Sequence, residues 1–390
     1  MRGPRESAPL GAMPTPATPL PAALQRLALS QAGLVSAAQC SDTDLAPSPL
    51  RRLVRAGTLL PVVRGVYLVT DSVVVPPSRG AAHDLRRRRA AITGLLAHGE
   101  QAVATGLAAL VLLGVQGAPS DMSADVALRD GHSRRPIPGV RLRQVRVRKW
   151  LSVGDFACVP AEVALAQAVP EVDRLTAVCL MDSAMNRGLI SPADLEHAHD
   201  LARGHRGVAR THEWWRHADH RAESPAETFA WLTCADAGYP PDVLQLRVTD
   251  ARGRFLARTE LAWRLPDGRW LLVEVDGVDY HGSAEHRIAD LHRQNPLITA
   301  ATLLRRYSGA DAMSGRLAAD VVPILRAAGW RSGAVIPGGP LRLPDETSVG
   351  GTATGPLTRL PDQISATRTP AARSVLSPPV DHVVLVASRT

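Results

Sequence analysis

Two strand-like runs, Leu256 to Trp263 and Trp270 to Asp276, flank Pro266-Asp267-Gly268, and this arrangement constrains the chain more tightly than any other feature. Proline pre-sets the first corner of a turn and glycine supplies the positive φ that closes it, so the two runs should pair as an antiparallel hairpin. Pairing symmetric about Asp267 sets Glu260 opposite Glu274, and Asp276 shares the face of Glu274 because side chains alternate with period two. Three carboxylates then converge on one side of the hairpin, with Leu261, Val273 and Val275 filling the other. Like charges directly opposite one another destabilise a sheet, and a carboxylate in an apolar strand needs a compensating partner. Magnesium is one such partner: it prefers carboxylate and water oxygens in octahedral geometry, and it can orient a water and stabilise charge on a phosphodiester. An arginine is the structural alternative, with Arg258 on the same strand face and Arg293 from the next segment as candidates. A bulge in either strand would displace the register by one residue.

The surrounding string, ESPAETFAWLTCADAGYPP, then LQLRV, the hairpin, a segment containing DLHRQ and finally ATLLRRY, reads as helix, strand, hairpin, helix, strand. Ser224, Pro225 and Glu227 fit the N-cap, first and third helical positions of an S-x-x-E capping box, which alone accounts for Glu227. His281, five residues past Asp276, can serve as a general acid or base near the carboxylates, or stand as a polar loop residue beside Tyr280. Asp290 and Arg293, three apart on a helix, make a surface pair, or else Arg293 faces a phosphate. Arg305 and Arg306 point to opposite faces of the last strand, so at most one serves the site.

Over roughly residues 221 to 308 these strings resemble the restriction-endonuclease-like fold, in the branch of the very-short-patch-repair endonucleases. The resemblance rests on ESPAE, the acid before Leu261-Ala262-Trp263, the Glu274-Val275-Asp276-Gly277 run with His281 after it, and the Asp290–Arg293 helix. It implies magnesium-dependent hydrolysis of DNA, with Glu260, Glu274 and Asp276 holding the metal, Glu227 assisting as a helix-borne acid, and His281 moving a proton. The chain departs from the wider PD-(D/E)xK pattern in three places. Asp276 stands where the lysine is expected, Glu260 replaces the usual aspartate, and ATLLRRY lacks the usual Gly-Trp.

The N-terminal part carries a different signature. Leu24, Leu27 and Ala28 recur at helical spacing before Gly33, Ser36 can cap a second helix, and Ser48-Pro49 reads as the N-cap and first residue of a third that ends at Gly57. Arg51, Arg52 and Arg55 ring the polar side of that third helix, and Leu59 to Val69 has strand character broken by the Arg64-Gly65 turn. The order is helix, helix, helix, hairpin. The string GLVSAAQC…SPLRRLVRAGTLLPVVRGVYLV, roughly residues 22 to 70, resembles the N-terminal domain of AbiEi-family antitoxins, which implies a winged helix-turn-helix. In such a module the third helix enters the major groove. By that resemblance Ser48, Arg51, Arg52 and Arg55 are DNA contacts and Arg64 lies on the wing; the structural alternative is a solvated arginine face.

The expected organisation is mixed, α+β or α/β, and multidomain, since 390 residues exceed one ordinary core. A disordered leader spans 1–20, the winged helix 21–75, a middle AbiEi-like domain 81–210, the endonuclease-like domain 221–330 and a disordered Gly/Pro/Ser/Thr tail 331–390. The middle domain holds the Arg86–Arg89 run, an apolar helix around Val103 to Leu113, a basic strand-like stretch from Val140 to Lys149, and helices over Val172 to Arg187 and from Ser191-Pro192 onward. The net charge of +8 is almost wholly arginine, with Lys149 the one lysine, which suits phosphate contacts and equally reflects an Ala/Arg-rich composition. Four scattered cysteines without a CxxC pair argue against zinc and disulfides, and the absence of a secretory signal or bilayer-length apolar run points to a soluble, cytoplasmic protein. The leading expectation is a DNA-binding endonuclease. The alternative is a catalytically silent DNA-binding regulator or an antitoxin-like component with a toxin as protein partner.

Overall fold

The computed structural model describes residues 20–43, 45–70, 76–131, 134–276, 297–333, 336 and 338–343. These are mixed α and β throughout, with three sheets, and they divide into two compact units that meet in sequence at Pro225 and Ala226.

The first unit opens with α1 (Ala22–Ser30), β1 (Leu34–Ser36), α2 (Ala37–Asp42), α3 (Pro47–Arg55), β2 (Leu59–Val63) and β3 (Val66–Val69). The strand β1 is an addition to the helix, helix, helix, hairpin reading. Its three residues are all buried, so no alternation marks it, and it pairs with β3 to give the sheet order β1-β3-β2. Ser36 caps α2 in a reciprocal box with Gln39, as its position suggested. The start of α3 differs from the Ser48 N-cap expectation: Ala46 is the N-cap and makes no side-chain bond, and Pro47 takes the first helical position. Two prolines two residues apart can each begin a helix, and the chain uses the earlier. Leu24, Ala28, Val35, Cys40, Leu53, Leu59 and Val69 close a small core, joined by Leu20 from the end of the expected leader.

A long helix, α4 (Arg79–His98), follows, and Arg89 donates to the Ala32 carbonyl at 2.8 Å, tying the helix back to the first core. Then come β4 (Ala102–Ala104), α5 (Gly106–Leu112), β5 (Ala124–Leu128), β6 (Val140–Arg143), β7 (Leu151–Val153), β8 (Phe156–Cys158), α6 (Ala161–Ala168), α7 (Arg174–Asn186) and α8 (Pro192–Leu201). The strands form a mixed sheet in the order β6-β5-β4-β8-β7. Two sequence readings change here. The apolar run at Val103–Leu113 is a strand followed by a helix, and only Val140–Arg143 of the basic stretch is strand. Two arginines of the basic stretch are neutralised by acids of the same unit: Arg143 bonds buried Asp125 at 2.6 Å and Glu171 at 2.7 Å, and Arg141 takes the same Glu171. Gly106, at φ +50, lies so close to this network that a Cβ would sit 2.8 Å from the Asp125 carboxylate and 2.9 Å from the Arg143 guanidinium.

The second unit contains α9 (Pro225–Asp236), β9 (Val243–Thr249), β10 (Phe255–Arg264), β11 (Trp270–Asp276), β12 (Thr302–Ser308), α10 (Gly309–Met313), α11 (Arg316–Ala327) and β13 (Leu341–Arg342). Its five-stranded sheet runs β12-β11-β10-β9-β13. The β10–β11 loop closes with the Leu265 carbonyl accepting from Gly268 at 2.9 Å, and Gly268 has φ +86, the left-handed corner the turn requires. Leu246, Val248, Ala262, Trp270, Leu272, Leu297 and Leu343 pack one core cluster. The expected disordered tail therefore begins too early at 331, because β13 pairs parallel with β9 and Leu343 is buried. Among the described residues no helix is long and apolar enough to cross a membrane.

Leu53, 1% exposed, is the sole fully buried residue of α3. L53A should cost about 2–5 kcal/mol by cavity formation, read as a lower urea midpoint of the first unit, whereas a loss below ~1 kcal/mol would mean that α3 is not anchored through this residue.

Candidate functional site

Two surfaces carry the candidate residues, one in each unit. On the first, burying Leu53 turns Ser48, Arg51, Arg52 and Arg55 of α3 toward solvent, and Arg64 is exposed at the β2–β3 turn. Between helix and hairpin runs an open groove of about 470 Å³, floored by Leu50, Val54, Pro61, Val63 and Tyr67 and rimmed by Arg51, Arg55 and Arg64. No acidic residue occurs between Leu45 and Thr70, so the rim is positive without internal compensation. Since α3 begins at Pro47, Ser48 is an exposed first-turn residue and its hydroxyl caps nothing.

The second surface is the acid face of the other unit. The β10–β11 ladder is centred on Asp267 and runs from Arg264 opposite Trp270 to Leu261 opposite Val273, so Glu260 and Glu274 stand at the next rung. Glu260 Oε2 accepts from the Val275 amide at 3.2 Å. Leu261 and Val273 are fully buried on the opposite face, and Val275 is half-buried.

Neighbouring strands extend this rung. Parallel pairing places Arg306 of β12 beside Glu274 and Ser308 beside Asp276. Arg306 bridges both acids, with Nε 3.3 Å from Glu274 Oε2 and Nη2 2.5 Å from Asp276 Oδ1. On the other side Gln245 of β9 lies beside Glu260, and its Nε2 donates to Glu227 Oε2 at 2.7 Å. Gln245 holds φ +55, a left-handed conformation that costs a non-glycine residue ~1–3 kcal/mol and clusters at functional sites.

Arg306 is thus an arginine that pairs with these acids, one beyond the expected candidates Arg258 and Arg293. Sequence reasoning reached Arg306 only as one of two possibilities and missed Gln245 altogether. Parallel pairing across a long crossover leaves no local signal, and a glutamine in a strand is unremarkable until its register is known. Glu227 is 9% exposed, so the acid is buried as well as placed at the start of α9. His281 and Arg293 lie outside the described residues.

The electrostatics follow from crowding. Burial pushes the Glu260 carboxyl up to about 7, with repulsion from Glu227 and Glu274 adding to it and backbone hydrogen bonds opposing it. Arg306 takes up Glu274 and Asp276, and among the described residues no group of three or more His, Cys, Asp or Glu side chains is disposed to hold a metal ion.

Comparison with known proteins bears on the first surface. Residues 23–70, from α1 to Thr70 after β3, match the family described as transcriptional regulator, AbiEi antitoxin. Two Mycobacterium tuberculosis proteins are similar to the chain: uncharacterized protein MT2308 of strain CDC 1551 / Oshkosh and uncharacterized protein Rv2248 of strain ATCC 25618 / H37Rv. Each is 30% identical over 167 residues, which is 43% of this chain. The chain spans 60% of the length of each of these relatives.

The raised Glu260 carboxyl gives the second unit a pH dependence of defined sign. Its folded value lies above the ordinary carboxylate value of 4.5, so the stability it confers is complete below that value and is lost as pH rises through about 7. Amide exchange at Val275 should therefore quicken between pH 5 and pH 8 beyond the intrinsic trend, and E260Q should remove the excess; an excess that persists in E260Q would place the titrating group elsewhere.

Proposed function

We propose that the protein is a DNA-binding regulator of the antitoxin type, with residues 20–70 forming a winged helix-turn-helix. The observation that carries the reading is the placement of Arg51, Arg52 and Arg55 on the solvent face of a helix whose other face is buried, next to a hairpin tipped by Arg64. The family match over residues 23–70 supports it, as does the sheet order β1-β3-β2. In this geometry α3 enters the major groove, where arginine recognises guanine edges in bidentate fashion, and the hairpin reaches the adjoining backbone or minor groove. Ser48 at the helix start is placed to contact a phosphate or a base edge. A toxin is the protein partner that the antitoxin type implies, and cytoplasmic residence follows from a DNA target.

A second reading is favoured by one observation, the crowding of Glu227 and Glu274 upon the half-buried Glu260. On this reading the second unit is an endonuclease-like domain, of the restriction-endonuclease-like fold, that hydrolyses DNA with magnesium. It requires Arg306 to release Glu274 and Asp276, and acids facing DNA phosphates without a cation are repulsive. The regulator reading needs neither condition.

Selection from a randomised duplex library followed by salt titration tests the leading reading. R51A/R55A should weaken binding of the full chain to the selected duplex and lower the slope of log affinity against log salt by about 1 for each phosphate that is no longer neutralised. Unchanged affinity and slope would overturn it. Supercoiled, linear, mismatched and single-stranded DNA incubated with magnesium, manganese or EDTA tests the second reading: metal-dependent cutting abolished in E274A would establish the nuclease, and no cutting with binding intact would leave the regulator.

A further inference from the structure

Two polar groups of the first unit that neither reading uses line the same recess. The recess, of about 250 Å³, has α2 on one side and the ends of α4, β5 and β8 on the other. Gln31, the residue that closes α1, is 2% exposed, and its Oε1 accepts no hydrogen bond among the described residues. Arg129, directly after β5, is half-buried with its guanidinium carbon 4.7 Å from the centroid of the Trp150 ring, and its Nε has no hydrogen-bond partner among the described residues. Buried polar groups almost always find a partner, so two orphans around one recess are an exception that a guest would resolve. Ser36 and Gln39 also line the recess, but each has its partner in the α2 capping box. Three exposed carboxylates, Asp42, Glu100 and Asp155, complete the polar lining, and Arg129 forms no ion pair with any of them.

These groups specify a ligand by its charges. A guanidinium stacked on an indole and lacking an acid calls for a carboxylate, which it can hold with two parallel hydrogen bonds. An orphan carbonyl oxygen calls for an N–H donor, and the surplus of carboxylates favours a donor that is cationic. The volume lies below the ~300–1,000 Å³ of sites for drug-sized ligands, which limits the guest to a small molecule. We propose that the recess binds a free α-amino acid with a basic side chain. Its carboxylate lies on Arg129, its α-ammonium group on Gln31, its side-chain cation among the three acids, and its aliphatic stem along Leu95 and Phe156. Water alone can satisfy Gln31 but leaves the charges of Arg129 and the three acids unmatched. Cys40 of α2 belongs to the core that also holds Leu53 of α3, so a bound molecule would tie that core to the middle sheet.

The test titrates the full chain with L-arginine, L-lysine, agmatine, Nα-acetyl-L-arginine and L-glutamate, following the heat of binding and the melting temperature. A basic amino acid should bind at one site and raise the melting temperature with its concentration, because a ligand held only by the folded state stabilises it. Agmatine, which lacks the carboxylate, and Nα-acetyl-L-arginine, which lacks the ammonium group, should bind about 10-fold or more weakly. L-Glutamate, which sets a further carboxylate against the acids, should bind more weakly still. R129M keeps an unbranched stem beside Trp150, so it should melt with the wild type when empty and weaken the basic amino acid by about 10- to 100-fold. Q31L removes an orphan acceptor, so it should raise the melting temperature of the empty protein while weakening the ligand by about 2- to 10-fold, a pairing of effects that a merely structural glutamine would not give. Absence of binding by both basic amino acids, agmatine or L-glutamate bound as tightly as L-arginine, or an affinity unchanged in R129M would each overturn the proposal.

Discussion

The register of the β10–β11 hairpin governs the second unit. With the ladder centred on Asp267, every even-numbered residue of β10 falls on the face of the even-numbered residues of β11. Toward the turn that parity places Ala262 and Leu272 in a core; two residues further from the turn it places Glu260 and Glu274 together. Hydrophobic residues near the turn lock the register, and the locked register forces the acids together. The cost of that crowding is distributed among three answers: a bridging arginine on β12, an amide donor on β9 set in a strained backbone, and a carboxyl at Glu260 that keeps its proton to about pH 7.

The hairpin could be read from the sequence because its determinants are local. Proline, aspartate and glycine specify the turn, and alternation specifies the faces. The same locality made the Ser36 cap, the Ser191-Pro192 helix start and the basic side of α3 visible. What was hidden is non-local. Arg306 reaches Glu274 through parallel pairing of strands separated by 25 residues, 277–301, and nothing in either strand names its partner. Gln245 was missed because its part in the site depends on a backbone conformation that sequence patterns do not encode. The strand β1 was missed because three buried residues show no period, and the start of α3 was misplaced because Pro47 and Pro49 satisfy the same rule.

The first unit shows how short elements can present a charged surface. The helix α3 has nine residues, and Leu53 alone of its side chains is fully buried, yet the side-chain–capped α2 and the β1–β3 pairing hold the elements on either side of it in place. In the middle sheet the arginines of β6 have a structural task, since Arg141 and Arg143 are drawn into Glu171 and Asp125. Positive charge in this chain is therefore of two kinds. Some arginines are internal counter-ions, as at Arg143 and Arg306, and others, as at Arg51, Arg52, Arg55 and Arg64, project from elements with no acid beside them in sequence.

The pairing of β13 with β9 has a practical meaning for the boundary of the second unit. Composition alone would end the folded part near Trp330, yet Leu341, Arg342 and Leu343 return to cover β9 and complete its cluster. A chain shortened to Trp330 would strip one side of β9 of its hydrogen-bonding partner and uncover Val248 and Leu246. Bare strand margins of that kind invite pairing with another molecule, so the shortened protein would tend to self-associate through β9. The few residues that look like the beginning of a tail are thus a seal on the sheet.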